Sequence, residues 1–260
     1  MSGPEPASPT PSPIRTPSPE ATASPAPAAP PSPAATSHRR ASPASRWSPA
    51  IVLPRLPGLI AGLVLFGVGI ALMAEAGMGL GPWEVFHQGI ARLTGLQLGT
   101  VSILLGVPIL AAWYPLGERP GVGTVINIVL VGAATNVALG LLPAVEGQPQ
   151  QLFTMLGGVA TIAVGSGLYL ASDLGPGPRD GLMTGVHFRF GWSIRRARTA
   201  VELSVLVLGF LLGGTVGLGT VVFALGIGPL VQVALRVFDR EGRVSKRRRA
   251  MLEARGAVGE

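Results

Sequence analysis

Two short segments carry the residue types and spacings best suited to chemistry. Residues 79–84 read Gly-Leu-Gly-Pro-Trp-Glu, and residues 173–180 read Asp-Leu-Gly-Pro-Gly-Pro-Arg-Asp. In both, glycine permits unusual backbone angles and proline starts a helix without losing a hydrogen bond. An acid follows in the first turn, where the positive end of the helix dipole favours it. Free N–H groups at such helix starts bind anionic or polar groups, as discontinuous helices do in secondary transporters. For either copy alone, the plainer reading is a Gly-Pro start to an interfacial helix capped by Glu84 or Asp180. Two copies make Gly81, Pro82, Glu84, Gly177, Pro178 and Asp180 candidate substrate-binding residues.

His87 stands one helical turn after Glu84, so the two share a face and could relay a proton. The corresponding residue of the second segment is Met183, so the pair is not duplicated. Arg179 has the planar fork that grips phosphate or carboxylate, or else serves as a cytoplasmic anchor. Further along, Asn127, Asn136, Ser166, Glu202 and Gln232 are polar residues inside apolar stretches. Such groups face a bundle interior, where they line a pathway or bond neighbouring helices. Asn136 and Gln232 occupy corresponding positions and join the candidates. Glu202 follows Arg198 by four residues, which is sufficiently explained by an ion pair.

These residues must be positioned by elements that can live in lipid. The 260-residue chain is 48% apolar and only 13% charged, with mean hydropathy +0.49, whereas soluble domains carry roughly 25% charge. Six apolar stretches are long enough to cross a bilayer: 56–76, 99–116, 122–142, 152–171, 199–216 and 218–237. Segments 83–94 and 179–190 reach only about 18 Å as helices, too short to cross. They are expected to be re-entrant or interfacial half-helices.

A shift of 96 residues aligns 58–140 with 154–236 without a gap, with roughly 20 of about 83 positions identical. Leu and Val matches carry little weight in apolar helices. The matches of Gly81-Pro82 to Gly177-Pro178, Glu84 to Asp180, and Gly121-x-Gly-Thr to Gly217-x-Gly-Thr carry more. Three spans and one half-helix per copy imply inverted-topology repeats. The charge distribution agrees with both termini cytoplasmic. Segment 143–151 has no Lys or Arg, while Arg189, Arg195, Arg196 and Arg198 fall on the cytoplasmic side, and Arg92 alone is misplaced. The fold class is therefore all-α membrane: six transmembrane helices plus two half-helices, in repeats of about 56–142 and 152–237.

Residues 1–49 are a Pro/Ser/Ala-rich tail expected to be disordered and cytoplasmic. The 238–260 tail is basic, and Arg247, Arg248 and Arg249 are expected to meet anionic lipid headgroups. The formal charge of +7 thus belongs to the positive-inside pattern rather than to nucleic-acid binding. With no cysteine and three scattered histidines, no metal or other cofactor is expected.

The motifs of residues 79–89, Gly-Thr-Val-Ser at 99–102 and residues 173–185 resemble the YczE/YyaS/YitT group of bacterial membrane proteins. The resemblance implies a multi-pass protein of the bacterial cytoplasmic membrane, and a loose association with transport. The expected function is a secondary-transporter-like permease or exporter of an unknown small molecule, not an enzyme. A non-transporting scaffold or regulator, and a lipid-phosphate flippase or membrane-embedded enzyme, are alternatives, and homo-oligomerisation is left open. No Gly-x4-Gly-Lys-Ser/Thr loop is present, so ATP-driven transport would need another subunit.

Overall fold

The computed structural model describes residues 48–240, 242–244 and 246. The expectations for the N-terminal tail, up to residue 47, and for Arg247, Arg248 and Arg249 lie outside these residues. Among the described residues every regular element is helical. After a lead-in of two short turns (Pro49–Val52 and Leu53–Arg55) come α1 (Leu56–Ala76), α2 (Pro82–Thr94), α3 (Leu98–Leu116), α4 (Val122–Leu141), α5 (Gln148–Ala171), α6 (Pro178–Phe190), α7 (Ile194–Leu211) and α8 (Leu218–Phe238).

Five of these, α1, α3, α4, α5 and α8, are long and apolar enough to cross a membrane. Their outer faces expose Leu104, Val107, Val129, Val137 and Leu225, which suits a hydrocarbon surround and not water. The stretch expected as a span at 199–216 folds differently. Its helix α7 starts earlier, at Ile194, where the Ser193 hydroxyl accepts from Arg196 N at 3.3 Å. It stops at Leu211, ahead of Gly213 with φ +90°. Arg195, Arg196, Arg198 and Glu202 are thereby drawn into an 18-residue helix, which breaks its apolar run.

The two short helices, α2 and α6, have 13 residues each, a reach of about 20 Å. Their N-caps share one backbone conformation, φ −62° and ψ 157° at Gly81 against φ −62° and ψ 158° at Gly177. Each ends on a left-handed glycine, Gly95 or Gly191, a position a β-carbon would strain.

The core is the crossing of α1 with α5. Gly62 lies against Gly165, and Gly69 against Gly158. A β-carbon on Gly62 would sit 2.6 Å from Tyr169 N, so the two backbones are in direct contact. Leu63, Ile70, Met73, Met155, Val159 and Ile162 fill the surrounding space. α4 packs on α1, and α8 packs on α5. The short helices are exchanged: α2 packs on α7 and α6 on α3. The loop ahead of each is tied to the other half of the chain, Gly219 N donating to Met78 O at 2.8 Å and Gly123 N to Leu174 O at 3.0 Å.

Candidate functional site

Because each short helix is borrowed by the opposite half, the N-termini of α2 and α6 meet in the interior. They border a cavity of about 270 Å³. From α2 come Pro82, Trp83 and Glu84; from α6 come Pro178, Arg179 and Asp180 behind Gly177. Trp83 and Arg179 are the second residues of their helices, and the Arg179 guanidinium carbon lies 5.4 Å from the centre of the Trp83 ring. Arg179 Nη1 is 2.5 Å from Glu84 Oε1. This is a contact of charges, because no donor is aligned on that oxygen as a hydrogen bond. Glu84 is 3% exposed, so the guanidinium is what makes its charge tolerable there. The corresponding acid, Asp180, has a neutral partner: Tyr169 Oη donates to Asp180 Oδ2 at 2.7 Å.

Three buried side-chain atoms have no hydrogen-bond partner among the described residues: Trp83 Nε1, Glu84 Oε1 and His87 Nε2. Unpaired polar atoms are costly in an interior. Trp83 and Glu84 both line the cavity, so two of these three groups belong to residues that a bound molecule would touch.

The supports of the two helix starts differ. On α6, Trp113 Nε1 donates to Pro178 O at 3.0 Å, and Gly181 leaves room for the indole, since a β-carbon there would lie 2.0 Å from it. On α2 the sizes are reversed. The counterpart of Gly181 is Val85, and that of Trp113 is Gly209, whose added β-carbon would lie 2.4 Å from Phe86 N. The far end of α2 is also fastened: Gln88 Oε1 accepts from Thr215 N at 2.6 Å, and Arg92 donates to Thr215 Oγ1 and to Gly213 O.

Among the other residues singled out in the sequence, Gln232, Asn127, Ser166, Arg198 and Glu202 line the cavity, the last two joined by a 2.9 Å ion pair. Gly81 caps α2 just outside the lining. His87 is buried against Trp83 and Phe86, away from the cavity. Asn136 is engaged elsewhere, Oδ1 accepting from Gly99 N at 2.8 Å and Nδ2 donating to Thr100 Oγ1 at 2.9 Å. Phe66, Trp83, Tyr169 and Phe223 were not singled out by sequence, yet they supply the aromatic wall. Trp83 had a signal, since it lies inside the Gly-Pro-acid motif. Tyr169 had none, because its counterpart is Met73.

Residues 53–236, which hold every element bordering the cavity, match the family described as a family of unknown function, DUF6198. The chain belongs to that family. An uncharacterized protein of Haemophilus influenzae is 41% identical over 186 residues, covering 70% of this chain and 84% of the relative. The uncharacterized membrane protein YczE of Bacillus subtilis is 32% identical over 178 residues, covering 67% and 82%. YyaS of the same organism is 24% identical over 195 residues, covering 72% and 95%. The likeness to YczE and YyaS expected from the motifs is thus found, and the protein is a membrane protein of an uncharacterized family. No solved structure matches the chain.

Proposed function

We propose that this protein is a secondary-transporter-like permease or exporter of a small molecule, working by alternating access around the cavity between α2 and α6. The observation that carries the reading is the meeting of two helix starts of equivalent sequence at one cavity, with the buried Glu84 paired to a half-buried Arg179 between them. A scaffold with interfacial half-helices has no need of buried charges or of unpaired donors and acceptors at that place.

The finer architecture in this proposal is six crossings in two inverted repeats, with both termini cytoplasmic in the inner membrane of a bacterium. α7 is the sixth crossing, its arginines lying at the cytoplasmic interface and its remaining turns in lipid. Most cavity positions come in pairs 96 residues apart, which supports the repeat: Phe66 with Ile162, Trp83 with Arg179, Glu84 with Asp180, Ser102 with Arg198, Asn127 with Phe223, and Val131 with Ile227. Other positions do not pair. Ser166, Tyr169, Gly228 and Gln232 line the cavity, while their counterparts Ile70, Met73, Gly132 and Asn136 do not. In the proposed topology the first four lie in the cytoplasmic halves of α5 and α8. The described state then faces the cytoplasm, and Met73 and Asn136 line the cavity in the opposite state.

Flux screening in proteoliposomes tests this reading, comparing wild type with Glu84→Gln and Asp180→Asn. Uptake that both substitutions reduce is the expected result. Uptake that neither alters would remove the site assignment, and no uptake of any solute across a broad screen would favour the scaffold.

A further inference from the structure

We infer that the cavity takes a small organic cation, a protonated amine on an apolar or aromatic body. The inference deepens the transporter reading and rests on its placement of the site.

The charges around the cavity do not balance. Its charged lining consists of Glu84, Arg179, Asp180, Arg198 and Glu202, three acids against two bases. Arg179 answers Glu84, and Arg198 answers Glu202. Among the described residues no basic nitrogen lies within 4.0 Å of the Asp180 carboxylate, whose hydrogen-bond partner is the neutral Tyr169. One negative charge is therefore left without a basic partner on the cavity wall, and a cation is the ligand that neutralises it.

Two independent features point the same way. Glu84 Oε1 is buried and accepts no aligned hydrogen bond, so a ligand N–H would add to its charge contact with Arg179. The walls also include the aromatic side chains Phe66, Tyr169, Trp83 and Phe223, with Phe66 and Tyr169 edge to face at 6.2 Å. Rings around a carboxylate are the surround in which an organic ammonium is held by charge and by cation–π attraction. Arg179 already shows this, lying over Trp83 and against Glu84, and a ligand amine would make equivalent contacts one step further along. An anionic ligand would have to share Arg179 with Glu84 and would itself face the Asp180 charge. The remaining unpaired group, Trp83 Nε1, selects for an acceptor such as a hydroxyl or carbonyl on the ligand body.

The test uses the full chain in lipid nanodiscs and four phenyl probes that differ in their charged groups: phenethylamine, phenylacetate, zwitterionic phenylalanine and uncharged phenethyl alcohol. Calorimetry and thermal unfolding should show phenethylamine binding at least about tenfold more tightly than the other three. Asp180→Asn, which keeps an acceptor for Tyr169, should abolish that preference. Tyr169→Phe frees the carboxylate and keeps the ring, so it should leave amine binding equal or tighter, an opposite sign that a folding defect would not produce. Tighter binding of phenylacetate, no binding of phenethylamine, or amine binding unchanged by Asp180→Asn would each overturn the inference. Flux of the same probes in proteoliposomes separates the two readings. Amine binding without flux upholds the cation site and sinks the transporter, whereas flux with no preference for the cation does the reverse.

Discussion

The starts of α2 and α6 share a backbone and differ in the side-chain contacts that hold them. Both follow a glycine in the same extended conformation, both open on proline and place an acid in the first turn, and both end on a left-handed glycine. Yet Glu84 is held by a cation and Asp180 by a phenol. The main chain of Val85 and Phe86 lies against Gly209, whereas the Trp113 indole fills the space left by Gly181. The two starts share what the turn and the close approach demand of the main chain. The side chains have been free to specialise, and two equivalent acids now do different work.

That contrast can be broken most directly at Arg179. Arg179→Met strands the buried Glu84 charge and is expected to cost about 3–5 kcal/mol of stability in denaturant unfolding. Adding Glu84→Gln should return most of that loss. Equal stability of Arg179→Met and wild type would mean that the pair does not hold the helix start. The size reversal is the next lever. Gly181→Val gives α6 the residue α2 has, but drives a side chain into Trp113, with an expected loss of about 1–3 kcal/mol or more. Trp113→Ala in the same chain should relieve part of it, and a double-mutant cycle reads the coupling.

The hydrogen bond at the second acid is weaker. Tyr169→Phe removes a hydrogen bond to a charged group and is expected to cost about 1.5–3 kcal/mol, below Arg179→Met, by the same unfolding measurement. Smallest of all is Arg198→Ala. Its partner Glu202 lies one turn along the same helix and Arg198 is 49% exposed, so the change in stability should stay below about 0.5 kcal/mol.

Much of this was readable from residue type because lipid imposes few solutions. Apolar runs bounded by glycine and proline set α1 at 56–76 and α4 from Val122, and Gly-Pro fixed the starts of both short helices within a residue. α7 was misplaced because the strongest boundary signals are chemical. Ser193 caps a helix in the midst of arginines, where hydropathy sees no span at all. Within the site, Glu84, Asp180 and Arg179 stood out because acids and bases are rare at such places. Asn136 and Gln232 looked equivalent and are not, since one is used to bond α4 to the start of α3 and the other faces the cavity. The aromatic wall had no pattern to betray it, because Phe66, Tyr169 and Phe223 come from three helices brought together only by packing.

The central claim is that a single cavity between the two helix starts opens to one side at a time. The chain has no cysteine, so single cysteines report access without background. Gln232→Cys and Asn136→Cys, placed at the corresponding positions, can be exposed in turn to a membrane-impermeant maleimide from each face of sealed vesicles. The expected result is fast labelling of position 232 from the cytoplasmic face and of position 136 only from the outer face, with substrate shifting the balance between them. Equal labelling of both positions from the same face would contradict it.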